Sequence, residues 1–269
     1  MQKLLESLPP GARVLDLGAR TGSFKATRAD LCVIRLDLEI PSRKGAGLYV
    51  SADAARMPFC AGAFDAIISN HSLEHFVELE ATLREIGRVM KRGGALYVAV
   101  PDASTLTDRI YRWLARGGGH VNAFRKPRDV IAPVENLTGL PHRGTQTLYS
   151  SLSFLNRHNR TAPAPRRIAL FFYGNERYLA FLMWALRGID RRLGTRLSVY
   201  GWEFYFAAGP VPGRDAAWRN VCVRCGAGFS EAYLRVKRVV RGLAYRCPEC
   251  GGFNLLTREK GFEAETLSR

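Results

Sequence analysis

The sequence predicts a doubly wound α/β fold with a mostly parallel sheet, followed by a small metal-held module near the C-terminus. Three observations carry that expectation. Short apolar runs alternate with helix-period segments from residue 12 to residue 101. The first run breaks into a glycine-flanked turn, Gly18 to Gly22, which continues into Ser23-Phe24-Lys25-Ala26. That is the layout of a buried strand, a tight loop and a helix start. Near the other end, Cys222-Val-Arg-Cys225-Gly and Cys247-Pro-Glu-Cys250-Gly form two matched pairs.

The elements follow in order. Val14 to Leu17 is the first strand, interrupted by Asp16, a carboxylate suited to a ligand that presents positive charge. Glycines at both ends of the next loop let the backbone turn sharply and let a ligand approach the amides of a helix start. The spacing is not the three-glycine dinucleotide pattern, and nothing nearby suits a pyrophosphate. Cys32 to Leu36 is the second strand and ends in Asp37, placed to accept hydrogen bonds from ribose hydroxyls. Leu48-Tyr49-Val50 leads into Ser51-Ala52-Asp53-Ala54, whose acid suits an adenine amino group. Phe64 to Asn70 is the fourth strand, followed by His71-Ser72-Leu73-Glu74-His75. Leu79, Leu83, Ile86 and Met90 give residues 76 to 90 a helical period, ended by Lys91-Arg92-Gly93-Gly94. Ala95 to Val100 is the fifth strand, halted by Pro101. Such alternation implies right-handed crossovers between parallel strands.

The series Val-Leu-Asp-Leu-Gly-Ala-Arg-Thr-Gly, Leu-Asp-Leu-Glu, Ala-Asp-Ala-Ala-Arg-Met-Pro-Phe, Phe-Asp-Ala-Ile-Ile-Ser-Asn-His-Ser-Leu-Glu-His and Glu-Ile-Gly-Arg-Val-Met-Lys-Arg-Gly-Gly covers residues 12 to 101. In that order it resembles the class I S-adenosylmethionine-dependent methyltransferases, in the ubiquinone-biosynthesis (methyltransferase type 11) group. The resemblance implies a Rossmann-like sheet of seven mostly parallel strands with helices on both faces. It also implies an enzyme that uses S-adenosylmethionine. By position, Asp16 and the loop residues Gly18, Ala19, Arg20 and Gly22 would hold the methionine end. Asp37 would take the ribose with Leu38 against the adenine ring, and Asp53 with Ala54 the adenine edge. Asn70 and His71 would lie beside the sulfonium. Taken singly, these acids are also ordinary strand-end and helix-cap residues; five elements in register are harder to explain that way. One position departs from the family: Arg20 stands where glycine is usual, so its side chain either crowds the methionine moiety or points outward.

The domain is expected to span 1–208, with a segment over about 102–196 covering the active site, and a zinc ribbon to span 218–269. Gly117 to Phe124 resembles the glycine-His-x-x-x-Phe segment that overhangs substrate in many relatives. Tyr200 to Phe206 is expected to be the last edge strand, Leu148 to Leu155 its hairpin-type neighbour, and 177–192 a helix between them. Asn159 to Arg167 reads as an exposed loop and Gly209 to Arg214 as a linker. In each Cys-x-x-Cys-Gly turn, two residues between the thiolates aim both sulfurs at one metal. Two such turns, 21 residues apart, resemble a zinc ribbon whose Cys222, Cys225, Cys247 and Cys250 close a tetrahedral structural zinc site. A disulfide framework is disfavoured in a cytosolic chain. Cys32 and Cys60 are expected to be buried fillers.

The 269 residues suffice for one full core and a small module. Residues 1–101 hold 13 Lys+Arg against 11 Asp+Glu, and the remainder 27 against 13, so the net charge of +16 lies mostly in the later part. A basic covering segment and ribbon point to an anionic partner such as RNA, phospholipid or a nucleotide-linked sugar. Tyr233 to Arg246 mixes base and aromatic as a nucleic-acid face does. However, arginine outnumbers lysine 33 to 7, which a GC-rich genome also produces. Met1 to Pro10 does not read as a leader, and Tyr178 to Leu186 falls short of the ~20 residues needed to cross a bilayer. A cytoplasmic protein without a transmembrane segment is expected. An oxygen acceptor needs a base, for which His71 and His120 are placed best, although strand-end histidines are often structural. Methyltransferases acting on amines of nucleobases or amides often carry Asn-Pro-Pro-aromatic after the fourth strand, and the Asn-His-Ser-Leu found there disfavours that subclass. Three readings follow: methylation of a small-molecule, lipid-linked or glycan acceptor on oxygen; an RNA methyltransferase with the ribbon docking the nucleic acid; or a non-catalytic scaffold that binds a protein. The aromatic-rich helix around Phe181 and Trp184 would face the acceptor in the first reading, and packs a core equally well.

Overall fold

The computed structural model describes residues 1–25, 28–42, 46–114, 119–159, 174–211 and 219–258. Outside that set lie Ala26, Gly117 and Gly118, the loop after Asn159, residues 212–214 of the expected linker, and residues 218 and 259–269 of the expected ribbon. A short helix, α1 (Gln2–Ser7), precedes β1 (Arg13–Leu17), in which Val14, Leu15, Asp16 and Leu17 are all fully buried. An apolar run buried on both faces is what a central parallel strand requires. β2 (Cys32–Asp37), β3 (Leu48–Ser51) and β4 (Phe64–Asn70) follow, then helix α2 (Leu79–Val89) and β5 (Met90–Pro101). Helices α3 (Leu106–Leu114) and α4 (Arg128–Thr138) lead to β6 (His142–Tyr149), α5 (Glu176–Leu193) and β7 (Val199–Ala207).

The seven strands form one sheet in the order β3-β2-β1-β4-β5-β7-β6. β1 pairs in parallel with β2 and β4, β2 with β3, and β4 with β5, whereas β7 runs antiparallel to β5. The chain order reverses between β1 and β4, so the crevice for ligands in such a sheet lies at their C-terminal ends. The seven-stranded, mostly parallel sheet expected from the sequence is present.

By contacts the chain divides into two units. The first comprises Met1–Ser104, Gly119–Thr147 and Gly201–Arg214, and the second Thr105–Gly118, Leu148–Tyr200 and Asp215–Arg269. In the first unit, Leu15, Leu17 and Leu36 of the strands pack with Leu83 and Ile86 of α2, Val130 and Val134 of α4, and Trp202, Phe204 and Phe206 of β7. Alternate residues of β7 thereby face this core, as period-2 strand geometry demands.

In the second unit, α5 is capped by Asn175, whose side chain accepts the Arg177 N–H, and ends at Gly194 in a left-handed conformation. Its buried stripe, Leu179, Ala180 and Met183, packs with Leu152 and with Val223 of the cysteine-bearing segment. That segment contains β8 (Asn220–Val221), β9 (Gly228–Phe229), α6 (Glu231–Val236) and the three-stranded sheet β10 (Val240–Arg241), β11 (Ala244–Arg246) and β12 (Phe253–Leu255). This grouping puts Leu152 and α5 with Val223 of the cysteine segment, whereas the sequence places a boundary near 208–218.

Two expectations are corrected. The strand beside β7 is His142–Tyr149, not Leu148–Leu155: Leu152 adopts φ +49, which ends extended backbone, and Ser153–Leu155 is a 3-10 turn. Cys32 and Cys60 are exposed rather than buried, since Cys32 opens β2 and Cys60 sits in the turn before β4. No helix among the described residues is long and apolar enough to cross a membrane.

The C-terminal end of α5 carries a stability prediction. Asp190 accepts hydrogen bonds from Thr195 Oγ1 (2.6 Å), the Leu197 and Ser198 amides (both 2.7 Å) and Ser198 Oγ (2.6 Å). Burial pushes its pKa up, but these bonds hold it below the ordinary 3.8. Asp190→Ala is expected to cost about 2 kcal/mol at neutral pH. A depressed carboxylate stabilises above its unfolded pKa and loses that contribution as pH falls through its folded one. Urea unfolding should therefore show the gap between wild type and variant narrowing in acid below 3.8.

Candidate active site

The parallel register lines up Leu17, Asp37, Ser51 and Asn70 at one edge of the sheet. Beyond β1 the chain turns back over this edge. Gly18 (φ +68) and Gly22 (φ +117) adopt backbone that L side chains rarely enter. A Cβ at Gly18 would stand 2.5 Å from Ser72 Cβ, and one at Gly22 2.6 Å from the Arg35 guanidinium, so neither position admits a side chain. Between them, Ala19 is buried and Arg20 is exposed at φ +44. The Arg20 side chain is exposed, with its positive charge near enough to His75 to add to burial in lowering that imidazole's pKa, while its amide donates to Asp37 Oδ2 at 2.8 Å and ties the loop to the tip of β2. Ser72 fastens the other side: its Oγ donates to the Leu17 carbonyl at 2.9 Å and lies 2.7 Å from Ser69 Oγ.

Asp16 lies beneath this loop, fully buried. Its Oδ2 pairs with Arg35 and accepts the Ser23 amide at 2.9 Å. Its Oδ1 is buried with no hydrogen-bond partner among the described residues. Burial raises its pKa, opposed by Ser23 and Arg35. An unsatisfied carboxylate oxygen in that position is suited to a cationic group such as an ammonium. Arg35 is a residue that motif reasoning missed. A lone arginine inside the apolar strand Cys32–Leu36 was the available signal, because arginine is almost never buried unpaired.

Further along the edge, Leu38 is 69% exposed and offers an apolar surface, and Ala54 is buried. Asp53 is engaged locally: Oδ1 accepts the Ala55 amide at 2.9 Å and Oδ2 pairs with Arg56 at 3.3 Å. Asn70 ends β4 half-buried, and His71 follows at φ +55, its amide donating to the Ala99 carbonyl at 2.9 Å. His71 Nδ1 stands 3.9 Å from Glu74 Oε1. Burial, and then the nearby His120 and His75, lower the His71 pKa to about 4, so it is neutral at physiological pH. The structure therefore brings His71 and His120 together, along with His75 and Glu74, which the sequence reading did not single out.

A family model described as a methyltransferase domain matches residues 15–98, the stretch that builds this edge. Residues 15–98 are thus a methyltransferase domain, of the class I S-adenosylmethionine-dependent kind that the sequence resembles. Similar proteins include a tRNA (carboxymethyluridine(34)-5-O)-methyltransferase of Xenopus tropicalis, 36% identical over 36% of this chain and 16% of that protein. A malonyl-[acyl-carrier protein] O-methyltransferase of Methylococcus capsulatus is 34% identical over 45% of this chain and 50% of that protein. A demethylmenaquinone methyltransferase of Corynebacterium kroppenstedtii is 36% identical over 51% and 64% respectively. The chain thus spans about half or less of the first two relatives and under two thirds of the third. Among solved structures, a SAM-dependent methyltransferase from Archaeoglobus fulgidus superposes with a TM-score of 0.51 at 15% identity, covering 77% of this chain and 90% of that one. The shared fold is that of the methyltransferase domain.

The second unit holds a four-cysteine cluster. Cys222 and Cys250 sulfurs lie 3.6 Å apart and those of Cys225 and Cys247 3.7 Å apart, far beyond disulfide length. Four sulfurs about 2.3 Å from a tetrahedral ion would be roughly 3.8 Å from one another, so the cluster fits zinc. The Arg224 amide and Asn254 Nδ2 each donate to Cys222 Sγ at 3.4 Å, bonds that favour thiolate.

Proposed function

We propose that the chain transfers a methyl group from S-adenosylmethionine to an oxygen of a small-molecule, lipid-linked or glycan acceptor, with zinc held structurally by Cys222, Cys225, Cys247 and Cys250. The observation that carries this reading is the alignment of acids and tight-turn glycines along one sheet edge, with Asp37 fastened to the loop through Arg20 N. In it, Asp16 and the Gly18, Ala19, Arg20 and Gly22 loop hold the methionine end, Asp37 the ribose, Leu38, Asp53 and Ala54 the adenine, and Asn70 with His71 the sulfonium side. When bound, the cofactor supplies an electrophilic methyl on a positively charged sulfur. The chain's own part is to align the acceptor oxygen in line and remove its proton, and alignment accounts for much of the acceleration. His71 and His120, beside the tip of β4, are the candidate bases. Two relatives whose names specify O-methylation support the oxygen acceptor.

Calorimetry tests the reading first at the cofactor. Wild type should bind S-adenosylhomocysteine, and Asp37→Ala should weaken that binding by about ten- to a hundredfold through loss of a charge-assisted hydrogen bond of about 1.5–3 kcal/mol. No binding by a folded wild type would favour the non-catalytic scaffold.

An RNA acceptor is the second reading. It is favoured by Lys237 over the Tyr233 ring at 5.7 Å and Arg246 over the Phe253 ring at 5.8 Å, and by the tRNA-modifying relative. Because α5 shares a core with the cysteine segment, charge removal at Lys237, Arg238 and Arg241 is a cleaner probe than deletion. RNA binding that falls steeply with salt and is lost in the triple alanine variant would select it.

A further inference from the structure

We propose that Glu74, His75 and His120 form a second metal site, for a divalent late first-row ion such as Co2+, Ni2+ or Zn2+. One carboxylate oxygen and one nitrogen of each imidazole lie within 4.8 Å of one another. Of the five histidines in the chain, these two and His71 gather at one spot, and the rings of His75 and His120 stand edge to face with centroids 4.8 Å apart. Two imidazoles and a carboxylate are a donor set that such ions prefer over Mg2+ or Ca2+. Ligand atoms about 2.0–2.1 Å from a tetrahedral ion sit roughly 3.4 Å apart, so closing the site needs a movement of about 1 Å, within reach of side-chain rotation.

The scaffold around the three residues is already fixed. The Val121 and Asn122 amides both donate to the Glu74 carbonyl, at 2.9 and 3.0 Å. Asn122 Nδ2 donates to the carbonyls of Leu73 (2.9 Å) and Phe76 (2.7 Å). These bonds clamp the 119–124 segment onto the turn that bears Glu74 and His75, fixing the spacing of the ligands. His75 Nδ1 lies 3.0 Å from the Gly119 carbonyl, an oxygen that only accepts, so Nδ1 carries the proton and Nε2 keeps its lone pair. A backbone carbonyl that orients a ligand imidazole in this way is the usual support of a histidine metal site. Glu74 is 1% exposed, so a bound cation would offset the cost of ionising its carboxylate in that low-dielectric setting. Beside the tip of β4, the ion would hold an acceptor through an anionic oxygen. That role rests on the methyl-transfer reading, whereas ion binding itself does not.

The test uses untagged full-length protein with its four-cysteine centre loaded with zinc. Elemental analysis after equilibration with excess Co2+ and removal of free metal should give two ions per chain, one zinc and one cobalt. Titration with Ni2+ should show one site, weakened at least tenfold in His75→Ala or His120→Gln and lost when both are changed. S-adenosylhomocysteine binding in folded His75→Ala should stay within about twofold of wild type, which separates this site from the cofactor crevice. One ion per chain in wild type overturns the proposal whatever the variants do. So does a second ion that binds the double variant as tightly as the wild type.

Discussion

Stripping the metal from the four-cysteine centre is expected to unfold residues 219–258 and to loosen α5, while the seven-stranded sheet persists. Within itself the cysteine segment has little else to hold it. Its strands are two or three residues long, and its helix α6 is six. Its buried cluster is Cys222, Phe229, Leu234, Tyr245, Cys247 and Leu256, so two of the six core residues are proposed ligands. Structural zinc in modules of this size supplies about 10–16 kcal/mol, more than such a core can replace. The effect reaches α5 through Arg224, which lies inside the first cysteine turn. Arg224 donates to Glu176 at 2.6 and 3.0 Å and to the Cys250 carbonyl at 3.1 Å. Glu176 also accepts the Phe253 amide at 2.6 Å. Hydrogen exchange after chelation, with metal loss verified by elemental analysis, should show residues 219–258 exchanging as free peptide and α5 losing protection. Undiminished protection in metal-free protein would mean that the cysteines pack without an ion.

The strands β1 to β5 and the four-cysteine pattern are legible because each rests on local spacing. A buried strand shows as an apolar run, and a knuckle as two cysteines in one turn. What escaped was long-range. Leu148 to Leu155 is apolar enough to read as strand, yet the left-handed backbone at Leu152 and the hydrogen bonds of Ser150 and Ser151 to following amides turn the chain there. The helical period of α5 was visible, but nothing in its spacing says that Leu179 and Met183 pack against Val223, some forty residues on. At the sheet edge, Asp37 and His71 could be read from their positions at strand ends. The joining of Glu74 and His75 to His120 depends on hydrogen bonds between segments about 45 residues apart, which no motif records.

Arg35 is the sharpest case of such a long-range dependence, and its replacement is expected to be the most damaging single change in the sheet. Its side chain is 1% exposed. The guanidinium pairs with Asp16 of β1, donates to the Ala46 carbonyl at 2.7 Å and to the Phe24 carbonyl at 3.0 Å, and lies over the Phe24 ring at 5.1 Å. One planar group thus joins two strands and both flanking loops, including the turn through Gly22. Removing one partner of a buried pair leaves the other uncompensated, so Arg35→Leu should cost about 3–5 kcal/mol. Asp16→Leu should cost a similar amount, since the guanidinium cannot shed its charge. Arg35→Lys should not rescue the loss, because an ammonium cannot reproduce three contacts in fixed planar directions. The double variant Asp16→Leu/Arg35→Leu decides whether the pair is there for stability or for the loop. Replacing both charges with apolar groups often restores stability, so urea unfolding should show the double variant less damaged than the sum of the singles by 2 kcal/mol or more. Its affinity for S-adenosylhomocysteine should nevertheless stay at least tenfold below wild type, because the bonds from Arg35 to the loop and the Asp16 carboxylate proposed to hold the methionine end are both gone. Additive losses would mean that the two charges do not act as a pair. A double variant that binds like wild type would leave the Asp16–Arg35 pair purely structural, with no hold on the cofactor.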